Sequence, residues 1–496
     1  MTISYADYLA WLKNPSSKRC LLVVLNGYNK STGLEETFYF SSQSFATKPT
    51  DSPASWQFEP RLFGSPSMTR SIPFFGEKGD YKIGDIELVH NDGRFDDWIT
   101  NYSFAGRTII KYLGDPMWSF SDFKAFPFFT GIIESQPEIE VERVVIKIRD
   151  KMGVLDAPIQ INTLTTGEPN QPIPIAYGFV RNVTPRLIDQ ATHKYQWHDG
   201  AVQSLDAVYD NGVSISFTAN NTTGTFTLNA QPAGTITCTG QGAKPAGTYL
   251  NTAALIINDI LTRAGDPLSR LNASDIDLNS LNALPNYLIG LYISDRENKL
   301  NVLEHICASM RAAFTFNREG KFQTKIIQNP NNLPSTFEIT NFHLKDKSLK
   351  LSAANVPQYQ TTVAYQRNYT VQKDLQTAIT ETTRSWLKEE YRQAIASNAN
   401  VKVVCLNAEN PKPLETCLDV LNDANTEATT IQNILGGQCY YVEFELLNVL
   451  YLFENGDAIN LLLNDLGFQS GRKCQILSLT EYDLENEIKV KAWFYV

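Results

Sequence analysis

The 496-residue sequence has no long apolar run, no block of Lys or Arg, and no paired-cysteine motif. Its longest apolar stretches, Cys20 to Leu25 and Leu446 to Phe453, fall far short of the roughly 20 residues a membrane-spanning helix needs. No stable membrane insertion is expected. The start, Met1-Thr2-Ile3-Ser4-Tyr5-Ala6-Asp7, lacks the basic and apolar regions of a secretion signal. Lys and Arg number 43 against 53 Asp and Glu, a formal net charge of −10. The clustered cations that grip phosphates are therefore missing from the sequence. Seven cysteines (Cys20, Cys238, Cys307, Cys405, Cys417, Cys439, Cys474) are scattered, with no Cys-x-x-Cys, a pattern of reduced thiols rather than a zinc knuckle. There is no Gly-x-Ser-x-Gly, His-Glu-x-x-His, Walker loop or Gly-x-Gly-x-x-Gly. The expectation is no enzyme, no cofactor and no metal, with no catalytic, cofactor-binding or metal-binding residue assigned.

What is present is a packed, mainly β chain. Apolar residues make up 43% and charged residues 19%, which suits globular cores, and the length suits roughly three or four domains. Tyr5, Tyr8, Leu9 and Leu12 recur at helical spacing before Asn14-Pro15. Leu21 to Leu25 reads as a strand running into a turn at Asn26-Gly27, and Glu36 to Ser41 as another. Ile83 to Val89 leads to the turn Asn91-Asp92-Gly93. Ile132 to Arg149 reads as a strand pair, in which Ile139-Glu140-Val141-Glu142 alternates between a buried and a wet face. Val208-Tyr209-Asp210-Asn211-Gly212-Val213 has the Asn-Gly signature of a tight hairpin. Gly240 to Gly247 reads as a linker. Helices are expected from Ala253 to a stop at Gly265, over Lys299 to Ala312, and from Leu414 to Leu435. Between the second and third lies a hairpin turning at Arg318-Glu319-Gly320-Lys321. Tyr440 to Phe453, Ile459 to Leu463, Cys474 to Leu479 and Ile488 to Tyr495 read as strands of a small closed or half-closed barrel.

Three groups were weighed as sites. His198-Asp199 has the chemistry of half a nucleophilic triad, but beside Gly200 it reads as a surface pair. Asp92, Asp96 and Asp97, and separately Asp275, Asp277 and Asn279, resemble oxygen-rich cation loops. The second set has Ser280 where a calcium loop needs Gly and Asn286 where it needs Glu, so both sets read as caps and turns. Trp118, Phe120, Phe123, Phe126, Phe128 and Phe129 form a dense aromatic group. It would stack on sugar, bury against another subunit, or fill an intradomain core.

The fold class is mainly β with α+β segments: several small β-barrel or sandwich domains with short helices. The divisions are 1–160, an N-terminal β domain; 161–247, an inserted β module; 248–345, a helix-plus-hairpin domain; and 346–496, an α+β region ending in a barrel. The ordered segments Pro172-Ile173-Pro174-Ile175-Ala176-Tyr177-Gly178, His193 to Gly200, Ala207 to Gly212, Ile289-Gly290-Leu291-Tyr292-Ile293, Phe316-Asn317-Arg318-Glu319-Gly320 and Val490-Lys491-Ala492-Trp493-Phe494 resemble tail hub (baseplate hub) proteins of long-tailed bacteriophages. Those proteins are related to the hub and spike barrels of contractile injection systems. The resemblance covers about 170 to 496. It implies a structural virion protein at the tail tip, assembled in the host bacterial cytoplasm as a homotrimer. Its partners would be the tail tube or distal tail protein, the spike or central fibre, and the tape-measure protein, with DNA passing a channel without sequence-specific binding during host cell entry. The alternative is a virion receptor-binding protein for host-surface glycan, using the 161–247 module or the Trp118–Phe129 aromatics.

Overall fold

The computed structural model describes residues 3–14, 16–64, 67–75, 81–263, 269–372, 375, 379–447, 453–482 and 487–496. It is mostly β-sheet with a few short helices, and it divides into two compact units. The first comprises Met1–Gly153, Thr315–Ala354 and Cys439–Val496; the second comprises Val154–Phe314 and Asn355–Gln438. The 248–345 and 346–496 stretches each contribute to both units.

In the first unit, the helix Tyr5–Lys13 is capped by Ser4, whose side chain accepts from the Asp7 N–H, and it buries Tyr8 and Leu12. The strand Cys20–Asn29 pairs with Leu34–Ser41 on one side and Thr108–Gly114 on the other, inside a six-stranded sheet. The turn expected at Asn26-Gly27 is absent, because the strand runs straight through it to Asn29. Gly27 serves close packing instead: a Cβ there would lie 2.6 Å from the Phe104 ring. The hairpin Glu138–Ile139 with Arg143–Ile146 forms as expected, but Glu140-Val141-Glu142 is its tip. Val141, expected on a buried face, is 90% exposed.

The barrel expected at the C-terminus is an open eight-stranded sheet among the described residues. Arg472–Tyr482 organises it. This strand pairs with Glu487–Tyr495 on one side; on the other its first half pairs with Ala458–Leu462 and its second half with Ser67–Ser71. Ser335–Thr340 adds in parallel beside Ala458–Leu462, and Lys350–Ala353 adds antiparallel beside Cys439–Leu446. All three stretches of the first unit therefore supply strands to one sheet, and one apolar core joins Tyr8, Leu113, Ile339, Val442, Ile476 and Phe494. The expected strand continuation from Tyr440 to Phe453 crosses 448–452, which lie outside the described residues.

The second unit has a five-stranded sheet ordered Val213–Ile215, Val202–Asp210, Ile236–Ala243, Ile175–Val183, Gly290–Ile293. Asn211 and Gly212 both take positive φ, 46° and 83°, which closes the hairpin read from Asn-Gly. The first half of the expected linker at Gly240–Gly247 is instead the end of this sheet's central strand, and Pro245–Gly247 form a 3-10 turn. Gly240 and Gly242 are small because Cβ atoms there would lie 2.6 Å from the Ser204 carbonyl oxygen and 2.2 Å from that of Ala176. The helix Ala253–Thr262 buries Ile256, Ile257, Ile260 and Leu261, and its expected stop at Gly265 lies outside the described residues. The second expected helix, Lys299–Ala308, ends earlier than expected, before the strand Ala312–Phe316. The last helix is Leu421–Leu435, not 414–435. Leu414–Glu415 pairs in parallel with Gln360–Tyr365, since a sheet edge offers those backbone groups partners that a helix start would leave open.

Candidate functional site

A set of buried charges in the first unit joins its three stretches. On the strand Ser67–Ser71, Met68 and Arg70 point inward, and on Arg472–Tyr482 so do Leu477, Leu479 and Glu481. Arg70 therefore enters the core 2% exposed, and Glu481 0% exposed. Arg70 Nη1 donates to Glu454 Oε2 at 2.6 Å, and its Nη2 reaches the Phe453 carbonyl at 3.3 Å and Glu481 Oε2 at 3.4 Å. Arg318, from the turn after Phe316, donates to Glu481 Oε1 and, at 3.2 Å, to the same Phe453 carbonyl. Its guanidinium lies 4.8 Å from the Phe128 ring centre, and its Nε is 3.5 Å from Glu454 Oε1. Two guanidiniums and two carboxylates thus neutralise one another, with each carboxylate shared between both arginines. This is a structural lock, because every charge faces another one. None of the four was singled out for its charge in the sequence. The readable signal was a charged side chain on the apolar face of an alternating strand, at Arg70 and at Glu481.

In the second unit, the Tyr177 hydroxyl donates to Asp259 Oδ2 at 2.6 Å, and Arg263 bridges Asp259 at 3.5 Å and Asp199 at 3.3 Å. Asn162 Nδ2 holds both oxygens of Asp199, at 3.2 and 3.0 Å. The adjacent His198 is not the surface residue the sequence suggested: it is 2% exposed. Its Nδ1 accepts the Ala176 backbone N–H at 2.9 Å, so no Asp199 contact orients it as a base. Burial first, and Arg263 second, push its pKa down to about 3. Because the unfolded histidine titrates near 6.5, the unfolded chain binds a proton between these values that the folded chain refuses. Stability therefore falls as pH falls through that window. In urea titrations, lowering pH from about 7 to about 4 should cost wild type on the order of 2–3 kcal/mol more than His198→Asn, and equal losses would refute this role.

The other sequence candidates are drawn into local structure. Arg61 grips Asp92 through two contacts, at 3.1 and 2.6 Å, while Asp96 pairs with His90 at 3.2 Å. Asp277 caps a short helix by accepting from the Asn279 and Ser280 N–H groups, and Asp275 shares a capping box with Asn272. Among the described residues, no three His, Cys, Asp or Glu side chains gather as a metal site would require. Phe120, Phe123, Phe128 and Phe129 are buried core. Trp118 is half-buried and packs on Trp11 at 4.8 Å, Tyr8 at 5.9 Å and Phe123 at 6.1 Å. The aromatic group is thus an internal core, the third of the readings weighed.

A cleft of about 890 Å³ opens in the second unit, lined by Tyr365, Glu389, Tyr391, Gln393, Lys412 and Glu415 among others. Sequence reading missed it, since its residues come from three short strands, and from the loops leading into two of them, that are not adjacent in the chain.

No protein-family model matches the sequence, and no curated protein does. Among solved structures, the chain is similar to the 43 kDa tail protein of prophage MuSo2 from Shewanella oneidensis, with TM-score 0.40, 9% identity, and coverage of 96% of this chain and 98% of that one. It is similar to prophage tail protein gp18 from Listeria monocytogenes EGD-e, with TM-score 0.43, 8% identity, and coverage of 95% and 94%. It is also similar to a chain from the virion of a native gene transfer agent particle, with TM-score 0.42, 13% identity, and coverage of 68% and 87%.

Proposed function

We propose that this chain is a non-enzymatic structural protein of a phage-type tail: the central hub of the tail tip or baseplate, joining the tail tube to a spike or central fibre as a ring of three copies. The observation that carries the reading is the construction of the first unit. Strands from three separate stretches share one sheet and one buried charge lock. A part that holds position while its neighbours rearrange needs such a body, because no end of the chain can peel away without breaking the core. The order of the sequence segments supports the same reading, and two of them meet: Gly178 and Gly290 are direct register partners in the second unit. The net charge of −10 fits a component past which DNA must slide without sticking. In this role the protein is assembled in the bacterial cytoplasm and carried in the virion.

Electron microscopy of particles carrying this chain should show three copies around the tail axis at the tip. Mass photometry of the purified protein should show self-association as concentration rises. A chain that stays monomeric at high concentration, and makes no ring contact in particles, would sink the proposal.

A further inference from the structure

The three-stranded sheet of the second unit places Gln360–Tyr365 between Arg392–Ser397 and Leu414–Glu415. Its registers align Ala364 with Gln393 on one side and with Glu415 on the other. One row across the sheet therefore reads amide, methyl, carboxylate. With strands spaced about 4.8 Å, the outer two lie roughly 10 Å apart over a small central residue, a trough wide enough for a pyranose ring. The row sits in the 890 Å³ cleft, whose walls add Tyr365, Tyr391, Glu389, Glu390, Arg392 and Lys412.

The lining charges are largely matched. Arg392 donates to Glu389 at 2.9 Å and to the Trp386 and Glu389 carbonyls, at 2.9 and 2.7 Å. Just behind the wall, Arg367 pairs with Glu390 at 2.8 Å and stacks between Tyr369 and Tyr391, 4.9 and 5.5 Å from their ring centres. These pairs fix the ionic groups in place and cancel them. Gln393, Lys412 and Glu415 remain, exposed and with no side-chain hydrogen bond among the described residues. Only Ala364 and Pro413 are aliphatic, so the cleft has no anchor for an apolar side chain. Amide, carboxylate and ammonium groups with open hydrogen-bonding capacity beside tyrosine rings suit a ligand that is rich in hydroxyls and carries no net charge.

We infer that this cleft is a saccharide-binding site selective for neutral oligosaccharides. It stands independently of the hub reading, because it lies wholly within one unit of one chain.

The full-length protein would be screened on an array of neutral and acidic oligosaccharides, and the best neutral hit titrated by isothermal calorimetry against wild type, Gln393→Ala and Glu415→Gln. Both variants change exposed side chains, and a matching thermal melt would verify their folding. The expected result is saturable binding of a neutral oligosaccharide, weakened about tenfold in each variant and little changed by added salt. Absence of saturable binding by folded wild type would overturn the inference. So would binding that both variants retain in full, or binding confined to charged glycans and abolished by salt.

Discussion

Glu481→Ala is expected to lower the stability of the first unit by about 3–5 kcal/mol, a large part of the 5–15 kcal/mol typical of a domain. Glu481 is fully buried, and its two oxygens serve two different arginines. Removing it leaves Arg70 and Arg318 inside the core, 2% and 6% exposed, with Glu454 as their remaining carboxylate partner. Two buried guanidiniums would then share the Glu454 carboxylate where they now share two, and a buried positive charge that has lost its main partner costs more than the pair itself contributed. The loss would be read as a lower urea midpoint with little change in slope. Replacing all four charged residues with apolar ones of similar volume should be far milder than the single change, because desolvation and attraction then vanish together. A midpoint that Glu481→Ala leaves unmoved would mean that water already solvates these charges.

The second large effect is expected at Gly178, in the middle of the strand Ile175–Val183. Its φ is +60°, and a Cβ there would lie 1.6 Å from the Ile289 carbonyl oxygen. The obstacle is backbone, so no rotamer change relieves it. Opposite, Gly290 is just as tight, with a Cβ 2.2 Å from the Phe179 carbonyl oxygen. Gly178→Ala must force these strands apart, and with them the hydrogen bonds joining Ile175–Val183 to Gly290–Ile293. A cost above about 4 kcal/mol follows, with the protein largely lost from the soluble fraction on expression. Gly247→Ala is the control. Its φ is +84°, but nothing lies within 4 Å of the added carbon, so only backbone strain of about 1–3 kcal/mol applies. Equal solubility and melting for the two variants would show that the sheet absorbs a methyl group between Ile175–Val183 and its edge strand Gly290–Ile293.

Glycine shows where local reading succeeds and where it stops. Asn211-Gly212 acts through its own φ angles, so the hairpin could be read from the dipeptide. Gly27, Gly240 and Gly242 look the same in sequence, yet each is small because a distant atom approaches it: the Phe104 ring, the Ser204 carbonyl and the Ala176 carbonyl. Such reasons are invisible until the partner is placed. The helix expected from Leu414 failed likewise, since only the packed fold supplies the strand Gln360–Tyr365 that captures Leu414–Glu415.

The sequence by itself determined the mainly β character, the strands at Leu21 to Leu25, Glu36 to Ser41, Ile459 to Leu463, Cys474 to Leu479 and Ile488 to Tyr495, the hairpins at Asn211-Gly212 and Gly320, and the want of recognised catalytic motifs. These follow from side-chain period and turn chemistry, which act over a few residues. Tertiary structure alone decided that the chain forms two interleaved units, that the terminal sheet stays open among the described residues, and that His198 is buried. It also brought Arg70 to Glu481, 411 residues away, and set Gln393, Ala364 and Glu415 in one row. The physical reason is the same throughout. Strand pairing and charge burial depend on which segments meet, and the period of a strand fixes the face a residue takes but not the partner it finds there.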